Sequence, residues 1–558
     1  MNPDKRAWLL FFFAAIAFYL YGIGALPFVG PDEPRYAQVA REMLLRGDIV
    51  TPTLGGHTWF EKPALLYWMV AAAFAVFGIS EWAARLGPAC AGLLSVLVVY
   101  WIGRRVERAI EHERAAEANE TTESDEPRTL GFWSAVALAS SAGLIVFSRA
   151  VSFDVIVTMT TTVALACFFA SELERDEKLR RWLHAGFYAF VGASLLAKGL
   201  IGIVIPFGVV VAYHLLQRRW PERRLLASLL WGLPLAFIVA ALWYGPVIWR
   251  NGWNFVDEFF IQHHFARYVS NKYRHPGPFY YYLPAILILS LPWPPFLLSA
   301  VAGARRWNWR GSDALGRFRI FTLAWLIVPL AFFSVSGSKL PGYILPTLPA
   351  AALLIGERLS RVVQGKGKAL LIRLTGLLLL LLACGGMFYA LRTRYTYTAC
   401  AALVLAPLFI AGIVSLVAAH MRRLCLLTTA FAMFLCIALA INCVGPAITR
   451  RESTRELLQQ ASARGFARTP VWGFYVIERT SEFYANERVT RDGAGEVVRL
   501  EGAVPVLEAT RKSGGTILVF VPLDGLRQLT DYPALDVEII GDNGTVALVV
   551  VKEKKANP

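Results

Sequence analysis

Charged residues and cysteines are scarce in this chain of 558 residues. Asp, Glu, Lys and Arg make up 17% of the sequence, against about 25% in an average soluble domain. The seven cysteines include no C-x-x-C pair, and none lies beyond Cys443. This spacing excludes a cysteine-ligated zinc motif, and it excludes a disulfide framework in the C-terminal tail. We interpret all seven cysteines as small core residues.

Hydrophobic residues make up 56% of the sequence, and many of them lie in long apolar runs. Runs of this length are typical of bilayer-spanning helices. The first run is longer than the ~7–15-residue apolar core of a secretory signal, so we expect it to remain as an uncleaved span. The sequence predicts about 13 transmembrane helices, at 7–26, 83–103, 131–147, 155–172, 183–197, 200–217, 225–244, 283–303, 319–335, 342–357, 369–391, 399–420 and 424–443.

One further apolar run, Pro63–Gly78, is left out of this set. Counting it as a span would invert every later loop. Leaving it out places the basic loops on the cytoplasmic side, as the positive-inside rule expects. These loops are 217–224, 304–319, 357–368 and 420–423. We therefore predict that Pro63–Gly78 is a helix along the outer membrane interface, next to a second interfacial helix in the same loop.

The composition changes after residue 446. Residues 1–446 are predicted to form an all-α polytopic membrane domain, and 447–558 a small α/β domain on the outer side. The tail opens with the amphipathic helical pattern TRRESTRELLQQASARG. Three strand patterns follow, PVWGFYVI, GTILVFVPL and TVALVVVKEK, separated by turn-forming residues.

Acidic and basic residues recur at the outer ends of the predicted spans. The acids are Asp32, Glu33, Glu61 and Asp154, and the bases include Lys62, Arg149, Lys198, Arg267 and Lys339. A charge at membrane depth costs roughly 2.5–3.5 kcal/mol, so such a cluster needs a compensating role. The excess of cations predicts an anionic, membrane-resident ligand, because Lys and Arg are the side chains that bind phosphate.

Several of these residues also have a purely structural interpretation. Asp32 or Glu33 could cap the helix that Pro34 begins. Lys198 could extend its ammonium towards the membrane interface, and Tyr343 could belong to an interfacial aromatic belt. The sequence is compatible with both the structural and the functional interpretation of these residues.

The ordered motifs PDEPRYAQVAREML, GHTWFEKPALLYW, SRAVSFD, LLAKG, HHFARY and SKLPGYILP resemble the GT-C superfamily of polyprenyl-phosphate-dependent glycosyltransferases. Within it, they resemble the ArnT-like 4-amino-4-deoxy-L-arabinose:lipid A transferases. The resemblance implies a GT-C fold and transfer of aminoarabinose from undecaprenyl phosphate to a lipid A phosphate. The resemblance places the active site and the tail on the periplasmic side of a bacterial inner membrane. It also implies that the reaction modifies lipopolysaccharide and contributes to polymyxin resistance.

The resemblance also suggests roles for individual residues. Asp32 and Asp154 are the expected catalytic acids. Lys62, Lys198, Arg267 and Tyr343 match the family's donor-phosphate positions. Independently of the resemblance, we also expect Tyr36, Arg149 and Lys339 to bind the donor phosphate or the substrate. Glu61 and His264 are the expected ligands of a divalent metal, with Zn²⁺ as the candidate, and His263 stands where the family pattern has an acid. We expect no nucleotide or organic cofactor, no nucleic acid partner, and a monomer.

Two other functions remain open from the sequence. The first is a transferase of the same fold that uses another sugar or a protein acceptor. The second is a lipid transporter or flippase, which intramembrane charges can also indicate. Transporters commonly show repeated halves with broken helices at the midplane. No such repeat is visible here, so the transferase is favoured.

Overall fold

The computed structural model describes residues 3–117, 129–266, 277–311, 313–393, 397–493 and 495–554. The chain forms two compact units. The first comprises Met1–Ile23, Phe60–Leu66 and Arg85–Ala440, and the second comprises Gly24–Trp59, Tyr67–Ala84 and Ile441–Pro558. The predicted boundary at residue 446 stays a prediction.

The first unit is helical, as expected for apolar segments that must satisfy their backbone hydrogen bonds internally. The helices that lie wholly or mostly in it are Pro3–Leu20, Glu81–Glu117, Leu130–Ala139, Ala142–Ser148, Phe153–Leu173, Glu177–Lys198, Ile201–Gln217, Arg223–Val256, Tyr282–Leu289, Pro294–Gly303, Ala314–Val335, Leu348–Val363, Leu370–Thr393, Thr398–Val417 and Arg422–Cys443. Shorter 3₁₀ and π turns are Asp257–Ala266, Ala304–Arg306 and Pro341–Thr347.

Within the described residues, seven helices are long and apolar enough to cross a membrane. An eighth span results if Leu130–Ala139 and Ala142–Ser148, bent by 58°, count as one. The chain is therefore a multi-pass membrane protein, but the number of about 13 spans is not confirmed. One reason is local: the predicted span 283–303 is two helices, because Pro292, Pro294 and Pro295 interrupt it.

The apolar run that we expected to lie along the interface forms the helix Leu65–Phe77. Its 13 residues extend about 20 Å at 1.5 Å per residue, which is less than the ~30 Å hydrocarbon core. Its length agrees with an interfacial helix, whose position in the membrane stays a prediction.

The second unit contains a short hairpin and the α/β tail. The hairpin strands are β1 (Thr53–Leu54) and β2 (His57–Thr58), and the tail strands are β3 (Val471–Phe474), β4 (Arg499–Leu500), β5 (Thr516–Pro522), β6 (Leu535–Asp542) and β7 (Val546–Glu553). The tail sheet has the order β4-β3-β5-β7-β6. Helices of this unit are Asp32–Arg46, Leu65–Phe77, Gly445–Glu452, Arg455–Ala461, Arg479–Tyr484, Ala503–Lys512 and Leu526–Thr530, with turns at Ser462–Phe466 and Leu523–Gly525.

The α/β character of the tail is confirmed. β3, β5 and β7 match the three predicted strands, and both faces of the sheet are buried because alternate residues enter two different hydrophobic clusters. β6 was missed because its sequence alternates weakly and several of its side chains are exposed. β4 was missed because it has only two residues.

The interpretation of all cysteines as small core residues is partly wrong. Cys400 is disulfide-bonded, and Cys90 and Cys384 are exposed on helices. Disulfide pairing depends on the distance between side chains in the folded chain, which local composition does not encode.

Candidate functional site

Asp154 and Lys198 form an ion pair in the first unit. Asp154 lies in the first turn of the helix Phe153–Leu173, and Lys198 is the last residue of Glu177–Lys198. A carboxylate at a helix N-terminus and an ammonium at a C-terminus both complement the helix dipole. The Asp154 and Lys198 side chains are only 19% and 10% exposed. Each charge therefore needs the opposite charge of its partner to offset the cost of its desolvation.

Small polar side chains fix the two helices beside each other. The Ser194 hydroxyl, one turn before Lys198, donates to Thr160 Oγ1 at 2.7 Å and lies 3.4 Å from Thr161 Oγ1. Gly202, on the next helix, lies so close to the Ser194 backbone that it has no room for a Cβ. These contacts set the register in which the ion pair forms.

Tyr343 covers the ion pair. Its ring centroid lies 4.8 Å from Lys198 Nζ, which is a cation–π contact. The preceding residue, Gly342, lies so close to Asp154 that a Cβ there would overlap the carboxylate and the Phe147 ring. The motif SKLPGYILP thus places a glycine and a tyrosine directly against the two charges. Tyr343 was predicted from the sequence and Gly342 was not, although a glycine between a proline and an aromatic residue is a visible signal.

The Lys339 ammonium donates hydrogen bonds to backbone carbonyl groups close to it in the sequence. Its ammonium donates to the carbonyl oxygens of Ser334 at 2.9 Å and Ser336 at 2.8 Å, and it lies 5.8 Å from the Tyr282 ring centroid. Burial lowers the pKa of Lys339. These contacts stabilise the turn after the helix Ala314–Val335, and a role for Lys339 in ligand binding stays a prediction.

Arg149 has a similar structural environment. One terminal nitrogen of its guanidinium donates to the Tyr21 carbonyl at 2.6 Å, and the other donates to the Phe18 carbonyl. The guanidinium also lies 4.6 Å from the Phe18 ring centroid. Arg149 therefore satisfies carbonyl groups at the end of the helix Pro3–Leu20. Its expected contact with the donor phosphate stays a prediction.

Glu61 and Lys62 form a second ion pair, with Lys62 Nζ 3.0 Å from Glu61 Oε1. Both side chains are largely buried, at 11% and 14% exposed. Among the described residues, no group of three or more His, Cys, Asp or Glu could hold a metal ion. The side chain of His264 and the whole of Arg267 lie outside the described residues, so their expected roles stay predictions.

The two adjacent acids of the first loop have different environments within the second unit. Asp32 begins the helix Asp32–Arg46 and its side chain is 60% exposed, 3.9 Å from the Arg35 guanidinium. Glu33 is 8% exposed, and its carboxylate accepts the Val29 N–H at 3.4 Å. Glu33 thus supports the turn before the helix, while Asp32 stays accessible to a ligand.

Tyr36, one turn after Asp32, is buried in the second unit. It packs edge-to-face against Tyr67 with ring centroids 6.3 Å apart. Of the expected substrate-binding residues, the structure brings together Lys198 and Tyr343 around Asp154. The described contacts of Lys62 and Arg149 form separate local groups, whereas Lys339 contacts Tyr282, which is within electrostatic range of Asp154 and Tyr343.

A family model described as "Dolichyl-phosphate-mannose-protein mannosyltransferase" matches residues 7–111 and 121–258. The "Undecaprenyl phosphate-alpha-4-amino-4-deoxy-L-arabinose arabinosyl transferase" of Edwardsiella ictaluri is 33% identical over 389 residues, which are 67% of this chain and 64% of the relative. The protein of the same name from Pseudomonas aeruginosa is 34% identical over 397 residues, which are 69% of this chain and 66% of the relative. The matched region thus spans just under two thirds of these relatives.

Solved structures show the same fold. ArnT from Cupriavidus metallidurans bound to undecaprenyl phosphate superposes with a TM-score of 0.76 at 24% identity, covering 98% of each chain. The archaeal oligosaccharyltransferase AglB from Archaeoglobus fulgidus has a TM-score of 0.50 at 12% identity, covering 98% of this chain and 74% of its own. The chain is therefore similar in sequence to these arabinosyl transferases and shares the fold of ArnT.

Proposed function

We propose that this protein transfers 4-amino-4-deoxy-L-arabinose from undecaprenyl phosphate to a phosphate of lipid A. The names of the similar relatives support the sugar and its carrier, and the similar ArnT structure was solved with undecaprenyl phosphate bound. The observation that carries the proposal is the nearly buried group Asp154, Lys198 and Tyr343 in a chain of this fold. The reaction would take place at the periplasmic face of a bacterial inner membrane.

Lys198 is the residue that we assign to the phosphate of the donor. An ammonium group has three N–H donors. Asp154 accepts from one of them and the Tyr343 ring faces the ammonium from another side. The remaining hydrogen-bonding capacity can bind a phosphate oxygen, and the low exposure of the group strengthens that attraction. As the sugar leaves, the carrier phosphate gains charge, which a fixed ammonium stabilises.

Asp154 then acts through Lys198. By holding the ammonium in one orientation, it prevents the lysine side chain from sampling other rotamers when no donor is bound. We therefore propose that Asp154 positions Lys198, and that its predicted importance for catalysis arises from this contact.

Asp32 is the proposed acid on the acceptor side. A protein hydroxyl would need a base, because an alcohol is a poor nucleophile at neutral pH. A lipid A phosphate is already anionic, with a second pKa near ~6 by analogy with phosphoserine. The exposed carboxylate of Asp32 is therefore proposed to orient the acceptor and to stabilise positive charge at the sugar, as glycosidase carboxylates do.

The expected metal site does not fit the described residues well. The Glu61 carboxylate already faces the Lys62 ammonium at 3.0 Å, so a divalent cation at Glu61 would lie next to a positive charge. Two protein ligands would also leave the metal site open. We derive no step of the reaction through a metal ion.

The alternative is a transferase of the same fold with another sugar or a protein acceptor. The match to a family model of protein mannosyltransferases favours this candidate. Both functions use a polyprenyl-phosphate donor, so the contacts around Lys198 do not distinguish them. The acceptor must be identified by experiment.

Mass spectrometry of lipid A tests the proposal. The chain is expressed in a bacterium that makes the aminoarabinose donor and lacks its own transferase. We expect lipid A phosphate to gain one aminopentose with the wild type and to lose it with Lys198→Met. Lys178→Met, at the exposed other end of the same helix, is the matched control and should retain the modification.

Unmodified lipid A from cells with wild-type protein would refute the lipid A acceptor. A sugar found instead on membrane proteins of the same cells would support the alternative. Equal loss of modification with Lys178→Met and Lys198→Met would contradict the role of the Asp154–Lys198 pair.

We also propose that the C-terminal domain faces the periplasm and that the protein is a monomer. A cysteine introduced at the exposed Lys512 should react with a membrane-impermeant maleimide in spheroplasts. Labelling only after lysis would invert the proposed orientation. Light scattering of the detergent-solubilised protein should give the mass of one chain.

A further inference from the structure

The tail residue Tyr484 contacts the stretch that leads into Asp32, within the second unit. The Phe28 N–H donates to the Tyr484 hydroxyl at 2.7 Å, and that hydroxyl donates to Glu81 Oε1 at 2.9 Å. Arg455, also from the tail, lies 3.3 Å from the same Glu81 oxygen. The hydroxyl therefore fixes a backbone N–H four residues before Asp32 and is itself oriented by a carboxylate.

The neighbouring tail residue, Phe483, contacts the same loop at two places. Its ring meets the fully buried Phe28 edge-to-face, with centroids 4.8 Å apart. Its carbonyl accepts from the Arg41 guanidinium at 3.0 Å, and that guanidinium also lies 4.7 Å from the Phe483 ring centroid. Arg41 is only 3% exposed. Two consecutive tail residues thus hold the loop on both sides of Asp32.

A third contact involves the β1–β2 hairpin that follows the Asp32 helix. The buried Glu482 carboxylate accepts from Arg491 at 2.7 Å, and the Arg491 side chain lies so close to Gly55 that a Cβ there would overlap it. On the other side of the hairpin, Glu42 accepts the Gly55 N–H at 2.6 Å and the Gly56 N–H at 3.1 Å. The hairpin is therefore fixed between a helix residue and a tail residue.

We propose that the C-terminal domain is a part of the catalytic apparatus, and that Tyr484 is a positioning residue for Asp32. The inference rests on the proposed function, in which Asp32 faces the acceptor. Asp32 itself is 60% exposed, so its own contacts cannot hold it in place. Its position depends on the buried anchors at Phe28 and Arg41, and both anchors are bound by the tail. This explains why a soluble domain without a catalytic motif accompanies the membrane domain.

The test is Tyr484→Phe, which removes the hydroxyl and keeps the ring. Misplacement of a catalytic group by about 1 Å can cost ~10²-fold in rate. We expect kcat for sugar transfer by the purified protein to fall about 10- to 100-fold. The KM for the donor should stay within about twofold, because the group that we assign to the donor phosphate uses other residues. A merely structural role would lower the yield of folded protein and leave kcat per folded molecule unchanged.

Tyr475→Phe is the matched control. Tyr475 is another tail tyrosine, 43% exposed, whose hydroxyl donates to Gln528 within the tail at 3.3 Å. This variant should keep the wild-type kcat. An unchanged kcat in Tyr484→Phe, or an equal loss in both variants, would overturn the proposal.

Hydrogen exchange separates this inference from the proposed function. In Tyr484→Phe, the amide of Phe28 should exchange faster than in the wild type, whether or not aminoarabinose is the sugar transferred. Absence of lipid A modification by the wild type would refute the proposed function alone. Unchanged exchange at Phe28 would refute the anchoring by Tyr484, even in a protein that modifies lipid A.

Discussion

Removing one member of the Asp154–Lys198 pair is expected to destabilise the protein strongly. The two side chains are 19% and 10% exposed, and the Tyr343 ring centroid lies 4.8 Å from the ammonium. Asp154→Asn would leave the Lys198 charge nearly buried without its counter-charge. Breaking a buried pair in this way costs about 3–5 kcal/mol of unfolding free energy. Lys198→Met should cost a similar amount, because it leaves the Asp154 carboxylate uncompensated.

The double variant Asp154→Asn/Lys198→Met isolates the interaction. Because neither charge remains, its loss of unfolding free energy should be smaller than the sum of the two single losses by about 1–3 kcal/mol. Equilibrium unfolding in mixed micelles, followed by tryptophan fluorescence, measures all four free energies. Asp176→Asn is the control: Asp176 caps the Lys198 helix by accepting the Lys178 N–H, and asparagine caps equally well.

Strictly additive losses in this cycle would refute the ion pair as an energetic unit. Losses below about 1 kcal/mol for both single variants would show that the charges are solvated like an exposed pair. Either result would remove the physical basis for assigning Asp154 as the residue that orients Lys198. The cycle does not depend on which sugar the protein transfers.

Two further predictions concern the surroundings of this pair. Gly342→Ala should lower the unfolding free energy by about 1–3 kcal/mol and lower the rate of sugar transfer, because the added Cβ displaces the Asp154 carboxylate. Gly245→Ala is the control, because a Cβ there meets no atom within 4 Å. This control variant should leave both the unfolding free energy and the transfer rate unchanged. Arg149→Lys should lower stability by about 1–3 kcal/mol, because it loses carbonyl contacts. A higher donor KM in this variant would support the predicted contact with the donor phosphate, and an unchanged donor KM would refute it.

The fold class follows from patterns along the chain. Long apolar runs required helices, and alternation in the tail indicated the strands β3, β5 and β7. The number of spans was less predictable because a run such as 283–303 has span-like hydropathy but is broken by prolines. Hydropathy averages over a window and does not report where the backbone stops being helical.

The sequence indicated candidate site residues, but it did not indicate which of them contact each other. The first loop illustrates this difference. Asp32 and Glu33 are adjacent acids in the sequence, yet one is largely exposed and the other accepts a backbone N–H from Val29. Which acid faces solvent depends on how the Asp32–Arg46 helix packs in its unit. Helix packing in turn depends on residues that are far away in the sequence.

Hydropathy and strand alternation along the chain indicated a multi-pass membrane protein with an α/β tail, and its motifs resemble those of the ArnT-like transferases. These properties are local, because hydropathy and short motifs are carried by neighbouring residues. The pairing of Asp154 with Lys198, 44 residues away, is visible only in the folded chain. The same holds for the contact of the tail with the loop before Asp32, across 456 residues. Such pairings depend on which helices lie side by side. The packing of small residues such as Gly342 and Ser194 decides that arrangement, and hydropathy does not encode it.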